Sequence, residues 1–223
     1  MAEKLLLGAN EDTRAVIDKT KDYHSAELAS AFVVPEFLPK TQPSTMQFDL
    51  KQSTWRRFPI RNQDGSSTCV AQTGAKLLGV EQYRESGRFL DFSARDIYER
   101  RVNKGTPGMV GVDAGDILTK NGATLEDLVP SQLMSEAEID AFWRRTKTDE
   151  EIGRIFAAGG FVQIAKDAQE IASVIASRKA VMLWFRFNYD EWGEVPVAKS
   201  KAPKLHHSVA AIDFVNFKKK DSI

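Results

Sequence analysis

The stretch from Arg61 to Leu78 constrains the chain more than any other part, because it carries the only cysteine. A polar segment rich in Gly and Ser leads to Cys69, and small or apolar residues then recur at three- and four-residue spacing. That spacing predicts a largely buried helix from Cys69 to about Tyr83, ended by Gly87. Helix N-termini carry unpaired N–H groups and the positive end of the helix dipole, which favour a thiolate. Cys69 is therefore a candidate nucleophile.

Composition bounds the class of protein. The 223 residues suffice for one large domain or two small lobes, and 42% apolar with 28% charged residues is ordinary for a soluble globular protein. Lys+Arg and Asp+Glu both number 31, so the formal net charge is zero. We therefore expect neither nucleic acid nor a membrane as a partner. No apolar run approaches the roughly 20 residues of a membrane span.

Cysteine usage and the N-terminus bear on the compartment. A single cysteine excludes an internal disulfide framework and suits a reducing environment. The first eight residues contain an apolar run of only three, whereas a signal peptide needs roughly seven or more. We expect no signal peptide and a cytoplasmic protein, or one packaged within a virion.

The order of the predicted elements indicates an α+β fold with two lobes, because helical patterns come first and strand patterns follow. A capping box of Ser135 and Glu138 opens one of the helices, and Ser93 is the N-cap of another. After the helix that begins at Cys69, the predicted helices are Ala94–Val102, Ala114–Asn121, Ser135–Thr148 and Ala168–Arg178. The predicted strands are Phe161–Ile164, Ala180–Phe187 and His207–Val215.

Domain boundaries follow from composition. Residues 1–43 are polar and are punctuated by Pro35, Pro39 and Pro43, which predicts an N-terminal extension or a propeptide-like segment. Residues 44–223 form the main domain. Its helical lobe is predicted at about 60–150 and its strand-rich lobe at about 155–223, as the element order suggests.

Catalysis by a cysteine needs an imidazole partner and a donor for the oxyanion. The three histidines are His24, His206 and His207, and the last two open a predicted strand that would hold them rigidly. Gln63 lies six residues before Cys69 and can offer an amide N–H beside the sulfur. Gln63 and the Cys69 backbone N–H are the candidate oxyanion donors.

Less specific interpretations stand beside this one. A lone cysteine is more often a small buried hydrophobic residue than a nucleophile. The His206–His207 pair lacks a third ligand at suitable spacing, so we predict no metal. The glycines of residues 105–115 match no phosphate-binding loop, and Lys218–Lys220 is typical of a solvated tail. We predict no cofactor.

Taken in order, several segments resemble the motifs of papain-like cysteine peptidases. Pro59–Cys69 resembles their active-site motif, with a Gln six residues before the cysteine that opens the central helix. His207–Ile212 is similar to the His-Ala-Val motif, and Ala180–Phe187 lies where the family has the preceding strand. Gly108–Gly115 resembles the Gly-rich loop of the substrate cleft, and Gly122–Pro130 resembles a later turn. The resemblance covers about residues 44–217.

This resemblance implies a papain-like two-lobe fold, with a helical N-terminal lobe around a central Cys-bearing helix and a β-barrel-like C-terminal lobe. It implies thiol-dependent peptide-bond hydrolysis by a pair of Cys69 and His207, with Gln63 in the oxyanion hole. The implied partner is a peptide or protein substrate. The implied substrate-binding residues are Gly111, Val112 and His206.

The sequence also departs from the family pattern. Val70 replaces the usual Trp, and Ser66 and Met109 stand where secreted members have a disulfide, which indicates a disulfide-free cytosolic, bacterial or phage member. The family orients its histidine with the Asn of an Asn-Ser-Trp motif, but this chain ends at Ile223 without one. Asp221 is the candidate third member. We expect instead that the C-terminal segment is missing from this sequence.

Two other functions remain open. The departures favour a catalytically weak or inactive papain-fold module that binds partners in a larger assembly, such as a phage particle. Another Cys-His enzyme, an amidase or acyltransferase, shares the order of cysteine before histidine. Gln63, six residues before the cysteine, argues against most of these.

Overall fold

The computed structural model describes residues 9–10, 58–162, 164, 171, 174–175, 179–187 and 205–212 of the chain. These residues divide into two compact units. The larger unit comprises the described parts of Met1–Arg14, Ile60–Phe161 and Met182–Ala210, and the smaller unit comprises those of Ala15–Pro59, Val162–Val181 and Ala211–Ile223. The predicted boundary at residue 43 lies outside the described residues.

The larger unit combines helices with two small sheets. The strand β1 pairs in parallel with β2, with Ala9 opposite Met109 and Asn10 opposite Val110, and β3 pairs with β4. The helices described in the larger unit are α1 (Cys69–Ser86), α2 (Ala94–Tyr98), α3 (Gly111–Lys120), α4 (Glu136–Asp140) and α5 (Lys147–Ile155). The strands are β1 (Ala9–Asn10), β2 (Met109–Val110), β3 (Val181–Phe187) and β4 (Leu205–Ala211).

Helix α1 is the centre of the larger unit, as the sequence predicts. Nearly every residue from Cys69 to Val80 is buried. Its end is also confirmed: Gly87 adopts φ 74° and its N–H donates to the Tyr83 carbonyl, a left-handed turn that glycine enters without a steric penalty. An added Cβ at Gly74 would lie 3.3 Å from Leu118 and 3.8 Å from Met182, so α3 and β3 both pack closely on α1.

The core around α1 is built from residues that are far apart in sequence. Fully buried side chains come from α2, β2, α4 and the segment before α2, and the rings of Phe92 and Phe156 meet edge to face at 5.3 Å. Met182 of β3 packs against the same core. The largest buried apolar side chains are Phe92, Ile97, Tyr98, Met109 and Ile139. This packing joins the strand pair to the central helix.

Two capping boxes divide the region predicted as one helix at Ser135–Thr148. The first, between Ser135 and Glu138, begins α4 as predicted. Ala141 then takes an extended conformation with ψ 136°, and a second capping box between Thr146 and Asp149 begins α5. The single-helix prediction is wrong because the side chains of this second cap satisfy the N–H groups of a new helix start.

Other predicted bounds shift by a few residues. The cap at Ser93 is confirmed, since its hydroxyl accepts from the Asp96 N–H at 3.1 Å, but α2 ends at Tyr98 in i→i−3 turn bonds instead of reaching Val102. Helix α3 begins at Gly111, three residues before the predicted start, so much of the predicted Gly-rich loop is helical. Its other end, before Gly122, is confirmed.

The strand predictions have a mixed outcome. The strand predicted at Ala180–Phe187 is confirmed as β3, and β4 begins two residues before the predicted His207. The strand predicted at Phe161–Ile164 is wrong, because the three described residues of that stretch belong to no strand. Within the described residues β3 and β4 form a two-stranded sheet, so a barrel-like lobe is not seen there.

The smaller unit has few described residues. Ile171, Val174 and Ile175 are helical, in agreement with the predicted helix over this stretch. After these helical residues the Lys179 N–H donates to the Val174 carbonyl at 3.2 Å, and β3 begins two residues later, at Val181. Val174, Ile175 and Val181 are buried.

Candidate active site

Cys69 is the first residue of α1, so the predicted placement at a helix N-terminus is confirmed. As the only cysteine it carries a thiol and not half of an intrachain disulfide, and it is 1% exposed. Thr68 is the N-cap, and its carbonyl accepts from the Gln72 N–H at 2.8 Å. The Thr68 hydroxyl bonds to the Ser66 hydroxyl at 2.8 Å instead of capping the helix.

The loop before Cys69 is closed by reciprocal hydrogen bonds between Gln63 and Ser66. The Ser66 N–H and hydroxyl both donate to the Gln63 carbonyl, at 3.1 and 2.6 Å. The Gln63 side-chain amide donates in return to the Ser66 carbonyl at 2.9 Å. The amide predicted as an oxyanion donor is thus held at the loop that leads into the cysteine.

Arg61 fastens this loop to α1 and to two distant segments. Its side chain is 4% exposed, and its Nε donates to Gln72 Oε1 of α1 at 2.8 Å. Its two Nη atoms form ion pairs with Asp91 and, at 3.0 Å, with Glu126. A guanidinium can satisfy all three acceptors because its donors form a rigid planar fork. The loop is therefore fixed by a buried network and not by the local turn alone.

His207 lies on β4, with the ring of Phe185 from β3 edge-on at 6.2 Å between centroids. Burial lowers the pKa of His207 to about 4, because a charged imidazolium loses hydration there. The imidazole is therefore neutral at pH 7 and can accept a proton. His206, its neighbour on the strand, points to the opposite face, since side chains alternate along a strand.

The strand β3 contacts both elements that carry the predicted catalytic residues, α1 and β4. Met182 packs on α1 beside Gly74, one turn beyond Cys69, and Phe185 packs on His207. Cys69 and His207 lie in the same compact unit.

The predicted substrate-binding residues lie at the start of α3. An added Cβ at Gly111 would be 1.4 Å from the ring of Trp184, so the indole occupies the space that any side chain there would need. Trp184 is itself 48% exposed. Directly before Gly111, the strand β2 pairs in parallel with β1. Gly111 thus follows a paired extended segment and packs against an aromatic side chain, and Val112 is the next residue of α3.

Some predictions fall outside these observations. Asp221 lies outside the described residues, so its role as a third member stays a prediction. Among the described residues no group of three His, Cys, Asp or Glu side chains could hold a metal ion. No helix in the described part of the chain is long and apolar enough to cross a membrane.

Sequence reasoning missed Arg61, Tyr98, Glu136 and Trp184. Each acts through a partner many residues away, and no local motif marks such a partner.

Comparison with known proteins defines the fold. No protein-family model matches the sequence, and no curated protein matches it. Xylellain, a cysteine protease from Xylella fastidiosa, superposes with a TM-score of 0.65 at 14% identity, over 94% of this chain and 80% of that one.

Two further solved structures have the same architecture. The cysteine protease CMS1MS2 from Carica candamarcensis gives a TM-score of 0.51 at 17% identity, over 71% of this chain and 74% of its own. Digestive procathepsin L 3 from the larval midgut of Tenebrio molitor gives 0.54 at 12% identity, over 81% and 62%. The chain therefore has the α+β papain-like fold, with Cys69 on its central helix.

Proposed function

We propose that this chain is a papain-like cysteine peptidase that hydrolyses peptide bonds through Cys69 and His207. The observation that supports it best is the position of the lone cysteine, at the first residue of the central helix of a papain-like fold. A thiolate at that point is favoured by the helix N–H groups. The substrate is a peptide or protein.

The proposed reaction uses His207 in its neutral form, as its burial favours. His207 accepts the proton of the Cys69 thiol, and the sulfur forms a bond to the scissile carbonyl carbon. The oxyanion is stabilised by the Cys69 backbone N–H and the Gln63 amide. His207 then protonates the leaving amine, and water hydrolyses the thioester. Asp221 is the proposed residue that orients His207.

The proposed substrate-binding residues are Gly111, Val112 and His206. The pairing of β1 with β2, immediately before Gly111, supports this assignment, because that strand edge accepts an extended segment. The same pairing favours a propeptide-like role for the N-terminal region, since β1 takes the place that a substrate backbone would need.

A second candidate function is supported by the burial of Cys69, which is 1% exposed. A thiol that substrate cannot reach would make the chain a papain-fold binding module in a larger assembly, such as a phage particle. The chemistry of another Cys-His amidase or acyltransferase is a further candidate. Whichever of these functions it has, we propose that the protein is in the cytoplasm or within a virion, because a single cysteine suits a reducing compartment.

Labelling decides between these functions, because any thiol adduct must be at Cys69. We expect a peptidyl epoxide to add one equivalent to the chain faster than it labels a free thiol. We also expect hydrolysis of a mixed peptide library, lost in Cys69→Ala and in His207→Gln. His24→Gln, at the one histidine without a proposed role in the site, is the matched control for the second variant and keeps the turnover of the unaltered chain. Labelling at the rate of a free thiol together with no turnover would assign the binding function instead.

A further inference from the structure

A chain of three hydrogen bonds connects the loop before Cys69 with the segment before Gly111. The Ser67 N–H donates to Glu136 Oε2 at 2.5 Å, and the Tyr98 hydroxyl donates to Glu136 Oε1 at 3.0 Å. The same hydroxyl accepts from the Gly108 N–H at 2.8 Å. Four segments that are distant in sequence are thereby joined through the side chains of Tyr98 and Glu136. We call these three hydrogen bonds the relay.

We propose that Tyr98 and Glu136 are positioning residues, which hold the oxyanion side of the site in register with the substrate-binding side. This inference rests on the proposed function. Ser67 lies two residues before Cys69, and Gly108 lies three residues before Gly111. Any movement of one segment is transmitted to the other through the Tyr98–Glu136 pair.

The components of this relay are themselves held in place. The ring of Tyr98 is fully buried, and the Arg101 guanidinium stacks over it at 3.7 Å while pairing with Asp140 at 2.7 Å. Glu136 is the first residue of α4, whose start is fixed by its capping box. The ring of Tyr98 is thus held against an ion-paired guanidinium, and the backbone of Glu136 is held at a capped helix start.

The chemistry of the relay requires a carboxylate at position 136. Glu136 accepts from two donors, one on each oxygen, and only an ionised carboxyl offers two acceptor atoms. Burial raises the pKa of Tyr98 well above its ordinary value, so its hydroxyl keeps the proton that it donates. Glutamine has the same shape but presents one amide N–H₂ to a donor. Glu136→Gln therefore loses the bond from the Ser67 N–H or reverses the bond with Tyr98, whose hydroxyl then accepts from the amide and no longer donates.

The test uses Glu136→Gln, Tyr98→Phe and the double variant in the full chain. Glu151→Gln, on the exposed side of α5, is the matched control. We expect each single variant to lower kcat and raise KM, with kcat/KM reduced about 10- to 100-fold, because small misplacements of catalytic groups are costly. The double variant loses no more than either single one, since both break the same relay. A purely structural role would lower the melting temperature and leave kcat/KM of the folded molecules unchanged.

Amide hydrogen exchange gives a second readout that does not need turnover. Tyr98→Phe removes no atom that contacts Ser67, yet we expect it to accelerate exchange of the Ser67 amide. Glu136→Gln should likewise accelerate exchange at Gly108, and it carries this test alone if Tyr98→Phe does not fold. Unchanged exchange at these distant amides, or unchanged kcat/KM in an active chain, overturns the relay. Absence of Cys69-dependent hydrolysis in the unaltered chain instead contradicts the proposed function, and the exchange rates still test the relay.

Discussion

Burial sets the protonation state of His207. A surface histidine has a pKa of about 6.5, and removal of the imidazolium from water lowers that of His207 to about 4. The edge of the Phe185 ring contributes to this burial without offering a hydrogen-bond acceptor. The imidazole is thus neutral at neutral pH and a weaker base than an ordinary histidine, and acidification acts against the folded state.

This shift predicts an acid-dependent loss of stability. The folded pKa lies below the unfolded one, so between about pH 6.5 and 4 the unfolded chain binds a proton that the folded chain does not. Stability from this residue is complete above that window and falls as pH decreases through it, by about 2 kcal/mol at pH 4.5. Urea unfolding of the unaltered chain and of His207→Asn at pH 7 and 4.5 measures the difference. Identical pH profiles for the two proteins would contradict the prediction, and His206→Asn is the control.

A second prediction at the residue scale concerns the contact of Gly111 with Trp184. A Cβ at position 111 would overlap the indole, so Gly111→Ala should destabilise the chain by about 1–3 kcal/mol. Trp184→Ala removes the obstacle, and the two changes together should cost at least ~1 kcal/mol less than the sum of the single costs. Denaturant unfolding of the four proteins in this cycle gives the coupling. Strict additivity would show that the indole does not confine Gly111.

At the scale of elements, the loop before α1 is held by the Arg61 network. Arg61 reaches Gln72, Asp91 and Glu126 at once, so a single side chain fixes the loop, the central helix and two outlying segments. The local turn between Gln63 and Ser66 shapes the loop but does not attach it to anything. The position of the loop that contains Gln63 therefore depends on Arg61.

This dependence predicts a large effect of Arg61→Lys. An ammonium keeps the charge but loses the planar fork, so two partly buried carboxylates remain incompletely paired around a buried cation. We expect a loss of about 3 kcal/mol in the free energy of unfolding, by the cost of breaking a buried ion pair. Arg84→Lys, at the half-exposed pair with Glu81 on α1, should cost well under ~1 kcal/mol and is the matched control. Equal losses of unfolding free energy in the two variants would contradict the role of Arg61 in fixing the loop.

At the scale of the whole molecule, the N-terminal strand β1 meets the candidate site. Its two residues extend the edge of β2, which leads into Gly111. A strand edge used in this way cannot also bind the backbone of a substrate. The chain would then regulate access to its own site.

The prediction that follows is a gain of activity when β1 is broken. Proline has no N–H to donate to a sheet, so Ala9→Pro combined with Asn10→Pro should weaken the pairing by about one hydrogen bond, or ~1 kcal/mol. The rate of peptide hydrolysis at low substrate concentration should rise by about fivefold, the equivalent of that energy. Ala9→Ser keeps the N–H and is the control. An unchanged rate in the double proline variant would contradict a competing role for β1.

The sequence by itself determined those features that depend on neighbours along the chain. Residue spacing and a terminal glycine are local signals, so they predicted α1 and its end at Gly87, the caps at Ser93 and Ser135, and the strand that became β3. The fold class followed from the order of such elements and from the motifs around Cys69 and His207, which resemble those of a known family. Failures of local prediction also had local causes, as where the cap at Thr146 restarted a helix.

Only the tertiary structure decided what surrounds those residues. The neutral state of His207 comes from burial, with Phe185 of another strand packed against its ring, and the position of the Cys69 loop comes from Arg61 and Glu136, whose partners lie up to 70 residues away in the chain. The close contact of the Trp184 ring with Gly111 likewise requires that β3 packs on α3. Such contacts depend on which surfaces meet when the core packs, and no periodicity or motif in the sequence specifies that.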